Sequence, residues 1–327
     1  MALIELNKNG LYCALADIYI DPWHAVPRAL ITHAHSDHAR SGNSLYVAHE
    51  HCVPLLHARL GKINTMPLCY GEEINYNGVK FSFHPSGHVP GSAQIRVEYK
   101  GEIWVVSGDY KLEDDGLSIP FEPVKCHNFI SESTFGLPIY HWKNQEEVYA
   151  EINQWWKKNA SAGITSVMMA YSLGKAQRIL QHLDQQIGKV IVHPAVAKMN
   201  DAIRVFSPQL PPAICWNAEM DAKKFAGAFL IVPPNAAAQM IEMFAPCDIA
   251  FASGWMHVRG GIHQSSAEKG FSLSDHVDWS GLNTAIEASE AEKIFITHGF
   301  TKQFVRWLRE QGKDAYELET LFGEGHD

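Results

Sequence analysis

The chain has 327 residues, enough to bury a large core, and its 46% hydrophobic and 19% charged content is that of an ordinary folded protein, not a disordered one. A net charge of −9 argues against broad, sequence-independent nucleic-acid binding over a basic face. It leaves room for a cleft in which bound divalent cations and a few local Lys or Arg attract phosphate. No apolar run approaches the ~20 residues of a membrane span, and residues 1–7 lack the basic and apolar regions of a secretory leader. A cytoplasmic setting without membrane contact is therefore expected. The six cysteines are scattered without a C-x-x-C pair and read as reduced thiols.

In chain order, the first ~140 residues read mainly as strands. Asp17 to Ile20 is a strand, as is the apolar run Ala29 to Thr32. Directly after it comes His33-Ala34-His35-Ser36-Asp37-His38, four candidate metal ligands in six residues. Ser44 to Ala48 is a further strand, residues 52–60 are helical, and residues 92–107 form a hairpin turning at Lys100-Gly101. The texture changes at Asn144-Gln145-Glu146-Glu147, which has the spacing of a capping box. Val148, Ile152, Trp155 and Trp156 follow at helical spacing. Strands at 164–171, 189–193 and 229–232 then alternate with helices at 175–186, 195–206 and 235–244, the pattern of an α/β unit with parallel strands. The tail returns to polar motifs at element ends, around His276 and His298.

Imidazole and carboxylate suit zinc and similar ions. In an extended chain, residues two apart point the same way. His33 and His35 can thus hold one ion while Asp37 and His38 turn to a second. From composition alone, such a motif arises in roughly one chain in a few hundred of this kind. Further donors sit where a two-metal site would need them. His88 lies in a Gly/Pro loop and reads as a ligand or as polar surface. Asp109 ends an apolar strand and reads as a bridging carboxylate or a turn former. His298 ends another strand and reads as a ligand or a structurally satisfied histidine. Together they would give His33/His35/His88 on one metal and Asp37/His38/His298 on the other, with Asp109 between.

These residues resemble the metallo-β-lactamase superfamily in its β-CASP branch. The resemblance implies an α/β fold, an αββα sandwich (residues 1–140 and 263–327) with an inserted α/β cap at 141–262. Asp21 resembles the first motif, a structural Asp that hydrogen-bonds metal ligands, with Asp17 a competing match. Residues 33–38, His88 and Asp109 match the next three motifs. Glu132 matches the acidic motif before the cap, and His276 and His298 match the histidines after it. More narrowly, Asp21-Pro22-Trp23, residues 33–40 and Tyr171-Ser172-Leu173-Gly174-Lys175 are similar to the bacterial DNA-ligase-associated exonucleases, which resemble the eukaryotic DNA-crosslink-repair nucleases. One departure stands out. DNA-cleaving eukaryotic members carry Val at the last motif position, and RNA-cleaving members carry His, as this chain does.

The resemblance implies a nuclease with two divalent ions, Zn2+ or alternatively Mn2+, and a metal-bridging hydroxide as nucleophile. Asp37 and Asp109 would serve the reaction as metal-site carboxylates. His276 would be the general acid, with Glu132 stabilising its charged form. The turn holding Ser172, Gly174 and Lys175 would take a substrate 5′-phosphate at a helix start; from composition alone it is equally a plain strand-to-helix turn. The expected substrate is nucleic acid, DNA favoured over RNA, hydrolysed by a single-strand-preferring exonuclease in repair alongside a DNA ligase or other repair proteins. The alternatives are an RNA-processing ribonuclease of the same branch, a small-molecule hydrolase, or an inactive scaffold subunit. Lys302, Arg306, Arg309 and Lys313 read as a solvated helix face or a phosphate-tracking ridge. Trp155 and Trp156 read as core or a base-stacking platform, and His49, His51 and His57 as ordinary.

Overall fold

A computed structural model describes residues 2–258 and 269–319. The chain divides into two compact units, Met1–His141 with His276–Asp327, and Trp142–Asp275. The boundary expected at 262/263 lies outside the described residues.

The first unit begins with strands β1 (Glu5–Asn7), β2 (Gly10–Cys13), β3 (Ile18–Ile20), β4 (Arg28–Ile31) and β5 (Leu45–His49), helix α1 (Cys52–Leu60) and strand β6 (Thr65–Leu68). Six strands in that order make one sheet. Strands β7 (Glu73–Tyr76), β8 (Val79–Pro85), β9 (Ala93–Tyr99), β10 (Glu102–Val106) and β11 (Asn128–Ser133) follow. The hairpin expected at 92–107 is β9–β10, with antiparallel partners Tyr99 and Glu102 flanking the turn.

The second unit holds α2 (Gln145–Ser161), β12 (Thr165–Met169), α3 (Lys175–His182), β13 (Val190–Val192), α4 (Pro194–Arg204), β14 (Ile214–Cys215), β15 (Phe229–Val232), α5 (Ala237–Met243), β16 (Cys247–Ala252) and β17 (Lys269–Phe271). Its six strands pair in parallel, in the order β14-β13-β15-β12-β16-β17. Strands buried on both faces, such as Phe229–Val232, read as unbroken apolar runs because helices cover each side. Asn144 caps α2, its side chain accepting from the Glu146 N–H at 2.9 Å. Trp155 and Trp156 are buried within this unit and their indoles donate to Asp248 Oδ2 (2.7 Å) and the Gly227 carbonyl (3.0 Å), so they are core. Helix α3 stops at His182, short of the expected 186. Asp184 accepts from the Gln186 N–H at 3.0 Å and so offers the backbone a turn in place of another helical bond.

The chain then returns to the first unit with α6 (Trp279–Ser289), β18 (Lys293–Gly299), α7 (Thr301–Glu310) and β19 (Asp314–Glu317). These complete a seven-stranded sheet ordered β19-β18-β11-β10-β9-β8-β7. Period-2 alternation places Val79, Phe81 and Phe83 of β8 on one face, where they meet Ile18, Ile20, Leu30 and Val47 of the other sheet in a shared core. On its other face, Val105, Phe129, Ile294 and Ile296 pack with Leu282 and Ile286 of α6 and Phe304 and Leu308 of α7. The unit is the metallo-β-lactamase sandwich, and the parallel-sheet unit is inserted into it.

Strand direction decides where chemistry can sit. β3 runs parallel to β4, and β10, β11 and β18 run parallel to one another. β8 runs antiparallel to β9, itself antiparallel to β10, so β8 shares the direction of β10. Each of these six strands delivers its C-terminal end to a polar residue or loop: Asp21, His33, His88, Asp109, Glu132 and His298. Among the described residues, no helix is long and apolar enough to cross a membrane.

Candidate metal centre

Asp21 follows β3 with φ of +43°. Its carboxylate accepts the Thr32 N–H (2.8 Å) and the Thr32 hydroxyl (2.5 Å), and lies 2.7 Å from His38 Nδ1. That contact occupies one ring nitrogen of His38 and aims Nε2 inward, the arrangement that fixes the tautomer of a metal-binding imidazole. The competing match, Asp17, is instead at the surface, paired with Arg28 at 3.0 Å.

Beyond β4 the backbone leaves regular structure, and a turn at residues 36–38 is closed by the Ala39 N–H donating to the His35 carbonyl at 2.9 Å. His33 Nε2 and His88 Nε2 each lie 3.1 Å from His35 Nδ1. Ligands on a tetrahedral zinc with ~2.0–2.1 Å bonds are separated by roughly 3.3 Å, so three nitrogens this close suit one common ion. The donor atoms of His33, His35, His88 and Asp109 all lie within 4.8 Å of one another.

Asp109 Oδ2 is central. It is 3.4 Å from His33 Nε2, 3.7 Å from His88 Nε2 and 3.5 Å from His38 Nε2. His38 Nε2 is also 3.5 Å from Asp37 Oδ2, is buried and makes no hydrogen bond. A buried polar atom left this way carries a desolvation cost unless something coordinates it. The His298 ring stacks on His38 with centroids 5.5 Å apart. His298 sits at φ +55° and Gly299 at +74°, and a Cβ on Gly299 would come 2.3 Å from the Ser133 carbonyl oxygen. Only glycine allows this approach of β18 to β11, where the register shifts between Glu132 and Ser133. The left-handed turn is what brings the His298 ring to the site.

Charge reinforces the geometry. Burial opposes a charge on His38, but the carboxylates of Asp109, Asp37 and Asp21 outweigh it and lift its pKa to about 10. Three carboxylates around one buried ring make a place that holds positive charge, whether a proton or a metal cation. Burial and the neighbouring histidines hold His33 well below the usual imidazole range, and burial with the His38 charge brings His298 to about 4. Both are then neutral at pH 7, the form in which an imidazole can coordinate a metal. Burial pushes the Asp109 carboxyl up to about 7. The buried His/Asp donor set fits metal binding.

Beside the cluster, His276 Nδ1 lies 2.9 Å from Glu132 Oε2. Glu132 is almost fully buried, and its other contacts hold it in place: Oε1 accepts the Tyr110 N–H at 2.8 Å and Oε2 the Thr134 hydroxyl at 2.5 Å. The His276 ring lies 4.8 Å from that of His88. Asp109, Glu132 and His276 form a second group with donor atoms within 4.8 Å of one another. The geometry alone thus allows His276 to act on a proton or on a metal.

In the inserted unit, Ser172 and Gly174 lie in the turn between β12 and α3, and Lys175 opens the helix. Lys175 is buried, 3.4 Å from Asp275 Oδ2 and 4.8 Å from the centre of the Tyr171 ring. Arg178 Nη1 is 2.6 Å from Asp275 Oδ1. On α7, Arg306 pairs with Glu310 (2.8 Å) and Arg309 donates to the Ala315 carbonyl (2.8 Å); Lys313 lies beyond the helix end at Glu310, so it is not part of the expected helical face, and pairs with Glu287 (2.8 Å).

Sequence reading passed over Thr32, which links Asp21 to His33 and His38, and Tyr110 and Thr134, which fix Glu132. Thr32 could have been noticed as the hydroxyl residue closing the strand before the motif. Thr134 is two residues from Glu132 and could have been noticed in the same way, whereas Tyr110 comes from the loop after β10 and has no local signal.

No family model matches the chain. Over 95% of its length it is 28% identical to a protein named "Probable DNA ligase" from Opitutus terrae, of which it covers 30%. Over 38% of its length it is 28% identical to "RNase aCSPSF2" from Saccharolobus solfataricus, covering 25% of that protein. Over 36% it is 32% identical to "Endoribonuclease YSH1" from Eremothecium gossypii, covering 15%. The chain therefore spans at most 30% of the length of these curated relatives. A crystal structure of a protein of unknown function from Enterococcus faecalis V583 superposes with a TM-score of 0.60 at 11% identity, over 90% of this chain and 80% of that one, a likeness of fold. The sequence likenesses and the buried His/Asp cluster together place the chain in relationship with the metallo-β-lactamase proteins of the β-CASP type.

Proposed function

We propose that this chain is a metal-dependent nuclease that hydrolyses phosphodiester bonds, acting as a single-strand-preferring DNA exonuclease in repair. The observation that carries the hydrolytic reading is the Glu132–His276 pair, 2.9 Å apart, next to a buried His/Asp cluster centred on Asp109. His33, His35 and His88 would hold one divalent ion, and Asp37, His38 and His298 a second, with Asp109 between them. Zn2+ is favoured by the imidazole-rich donor set, and Mn2+ is the alternative. When bound, the cations supply Lewis-acid neutralisation of phosphoryl charge and a lowered pKa for water. Glu132 holds the proton on His276 Nδ1 and stabilises the imidazolium, leaving Nε2 to deliver its proton to the departing oxygen. Asp21 keeps His38 in register through Thr32 and Nδ1. In the inserted unit, Ser172, Gly174 and Lys175 would receive a terminal 5′-phosphate.

The choice of DNA rests on the likeness of 95% of this chain to 30% of a protein named as a DNA ligase, which also makes a DNA ligase the partner to test. RNA is the second reading. His298 and the likeness of about a third of the chain to an endoribonuclease favour it. End-labelled single-stranded DNA and RNA of one sequence, with zinc or manganese and Asp37→Asn as the blank, separate the two. Stepwise loss of DNA with RNA intact supports the repair reading. RNA cleavage with DNA intact replaces it with RNA processing. Metal binding without either activity removes the nuclease reading.

A further inference from the structure

Residues 33–40 belong to no helix or strand; within the loop the Ala39 N–H donates to the His35 carbonyl at 2.9 Å, and the carbonyls of Ala34 and Ala39 look to a side chain. Ala34 and Ala39 are each 1% exposed, and a buried carbonyl without a partner is costly. The partner comes from elsewhere in the sequence. Arg59, in the last turn of α1, places Nη1 2.6 Å from the Ala34 carbonyl oxygen, 3.3 Å from that of His35 and 3.4 Å from that of Ala39. One guanidinium nitrogen thus gathers three carbonyls from the loop that carries His33, His35, Asp37 and His38. The opposite end of α1 meets the other ligand loop. At Gly91, three residues after His88, a Cβ would lie 2.4 Å from the Cys52 N and 2.6 Å from the His51 carbonyl carbon. The nine-residue helix therefore spans two ligand-bearing loops, gripping one through Arg59 and abutting the other at its first turn.

We propose that Arg59 is a positioning residue of the metal centre. By clamping the carbonyls of the 33–38 loop to α1, it sets the spacing of His33 and His35 relative to His88 and so sets metal affinity. This rests on the metal-site reading above. Arginine suits the task because its guanidinium stays charged and its rigid plane holds Nη1 at a fixed angle, whereas lysine's shorter reach ends in a freely rotating ammonium. Groups that orient metal ligands without touching the ion typically change affinity about 10–100-fold when removed.

The test compares the parent with Arg59→Met and Arg59→Lys, with Arg306→Met on the exposed face of α7 controlling for loss of a positive charge. Zn2+ affinity is measured by chelator competition, the Co2+-loaded visible spectrum reports ligand geometry, and thermal melting is followed with metal stripped. The expected result is about 10–100-fold weaker Zn2+ binding and an altered Co2+ spectrum in Arg59→Met, partial recovery in Arg59→Lys and none of these changes in Arg306→Met. If Arg59→Met fails to fold, Arg59→Lys carries the comparison, with several-fold weaker binding expected. Affinity within twofold of the parent and an unchanged Co2+ spectrum in the folded Arg59 variant overturn the inference while leaving the metal centre intact. A parent that binds no metal overturns both readings.

Discussion

The candidate metal centre of the sandwich and the Ser172–Lys175 turn of the inserted unit differ in how their charges are used. In the first, the carboxylates outnumber the ring they surround. Three carboxylates surround His38, whose Nε2 makes no hydrogen bond, and Asp109 Oδ2 lies 3.4–3.7 Å from three ring nitrogens. In the second, each cation already has a partner, since Lys175 and Arg178 share the carboxylate of Asp275. A cation that already touches a carboxylate gains less from a ligand, because the incoming charge must compete with the existing pair. The difference therefore ranks the two: the centre should dominate any activity, and the turn should modulate it.

The sharpest way to break that ranking is Asp37→Asn. It keeps the shape and removes one of the carboxylates beside His38. Loss of several kcal/mol of transition-state stabilisation corresponds to a fall of roughly 10³-fold or more in phosphodiester hydrolysis, with reduced metal content by elemental analysis and an unchanged far-UV spectrum. Retained activity would remove the centre from the reaction. His276→Ala follows in size. A general acid contributes about 10²–10⁴-fold, so the rate should drop by that much with the metal content intact. Loss of metal instead would make His276 a ligand of the second donor group formed with Asp109 and Glu132.

How much of this was legible in the sequence depended on how local the cause was. Residues 33–38 announced themselves, because their ligand types and spacing lie in one short stretch and the apolar run before them fixes them to a strand end. His88, Asp109 and His298 were readable only as candidates. What brings them together is the shared direction of β8, β10 and β18, a property of sheet topology that composition near each residue does not encode. Arg59 was silent altogether. It lies on a helix that was visible, but its contact with the loop around Ala34 depends on how α1 is seated. The alternation of the inserted unit was plain, yet its strand order was not, and neither was the stop of α3 at His182, which a side-chain turn at Asp184 decides.

The turn in the inserted unit is expected to show a smaller effect than either centre variant. If Lys175 receives a terminal phosphate, Lys175→Met should reduce the preference for 5′-phosphate over 5′-hydroxyl ends about tenfold or less. The net value of a charged hydrogen bond is only ~1.5–3 kcal/mol, and part of Lys175's charge is committed to Asp275. Rates on matched single-stranded substrates measure this directly. An unchanged preference would leave the turn as an ordinary strand-to-helix connection, and a loss as large as that of Asp37→Asn would reverse the ranking of the two regions.

The smallest effect concerns a histidine that lies close in sequence to α1 but outside the donor cluster. His49 ends β5, is 2% exposed and stacks on Tyr70 with centroids 3.5 Å apart, while its Nδ1 accepts the His51 N–H at 3.3 Å. Burial, and secondarily the nearby His51, pull its pKa to about 4, against ~6.5 in an unfolded chain. Between those values the unfolded state binds the proton and the folded state does not. Stability from this group is therefore complete above about pH 6.5 and is lost as pH falls toward 4. His49→Phe keeps an aromatic ring against Tyr70 and removes the titration. In urea unfolding of metal-stripped protein between pH 7.5 and 5, its stability should fall less steeply than the parent's, by a fraction of one proton. Parallel slopes would mean that His49 accepts its proton in the folded state, and the acid sensitivity would then belong to the histidines of the centre.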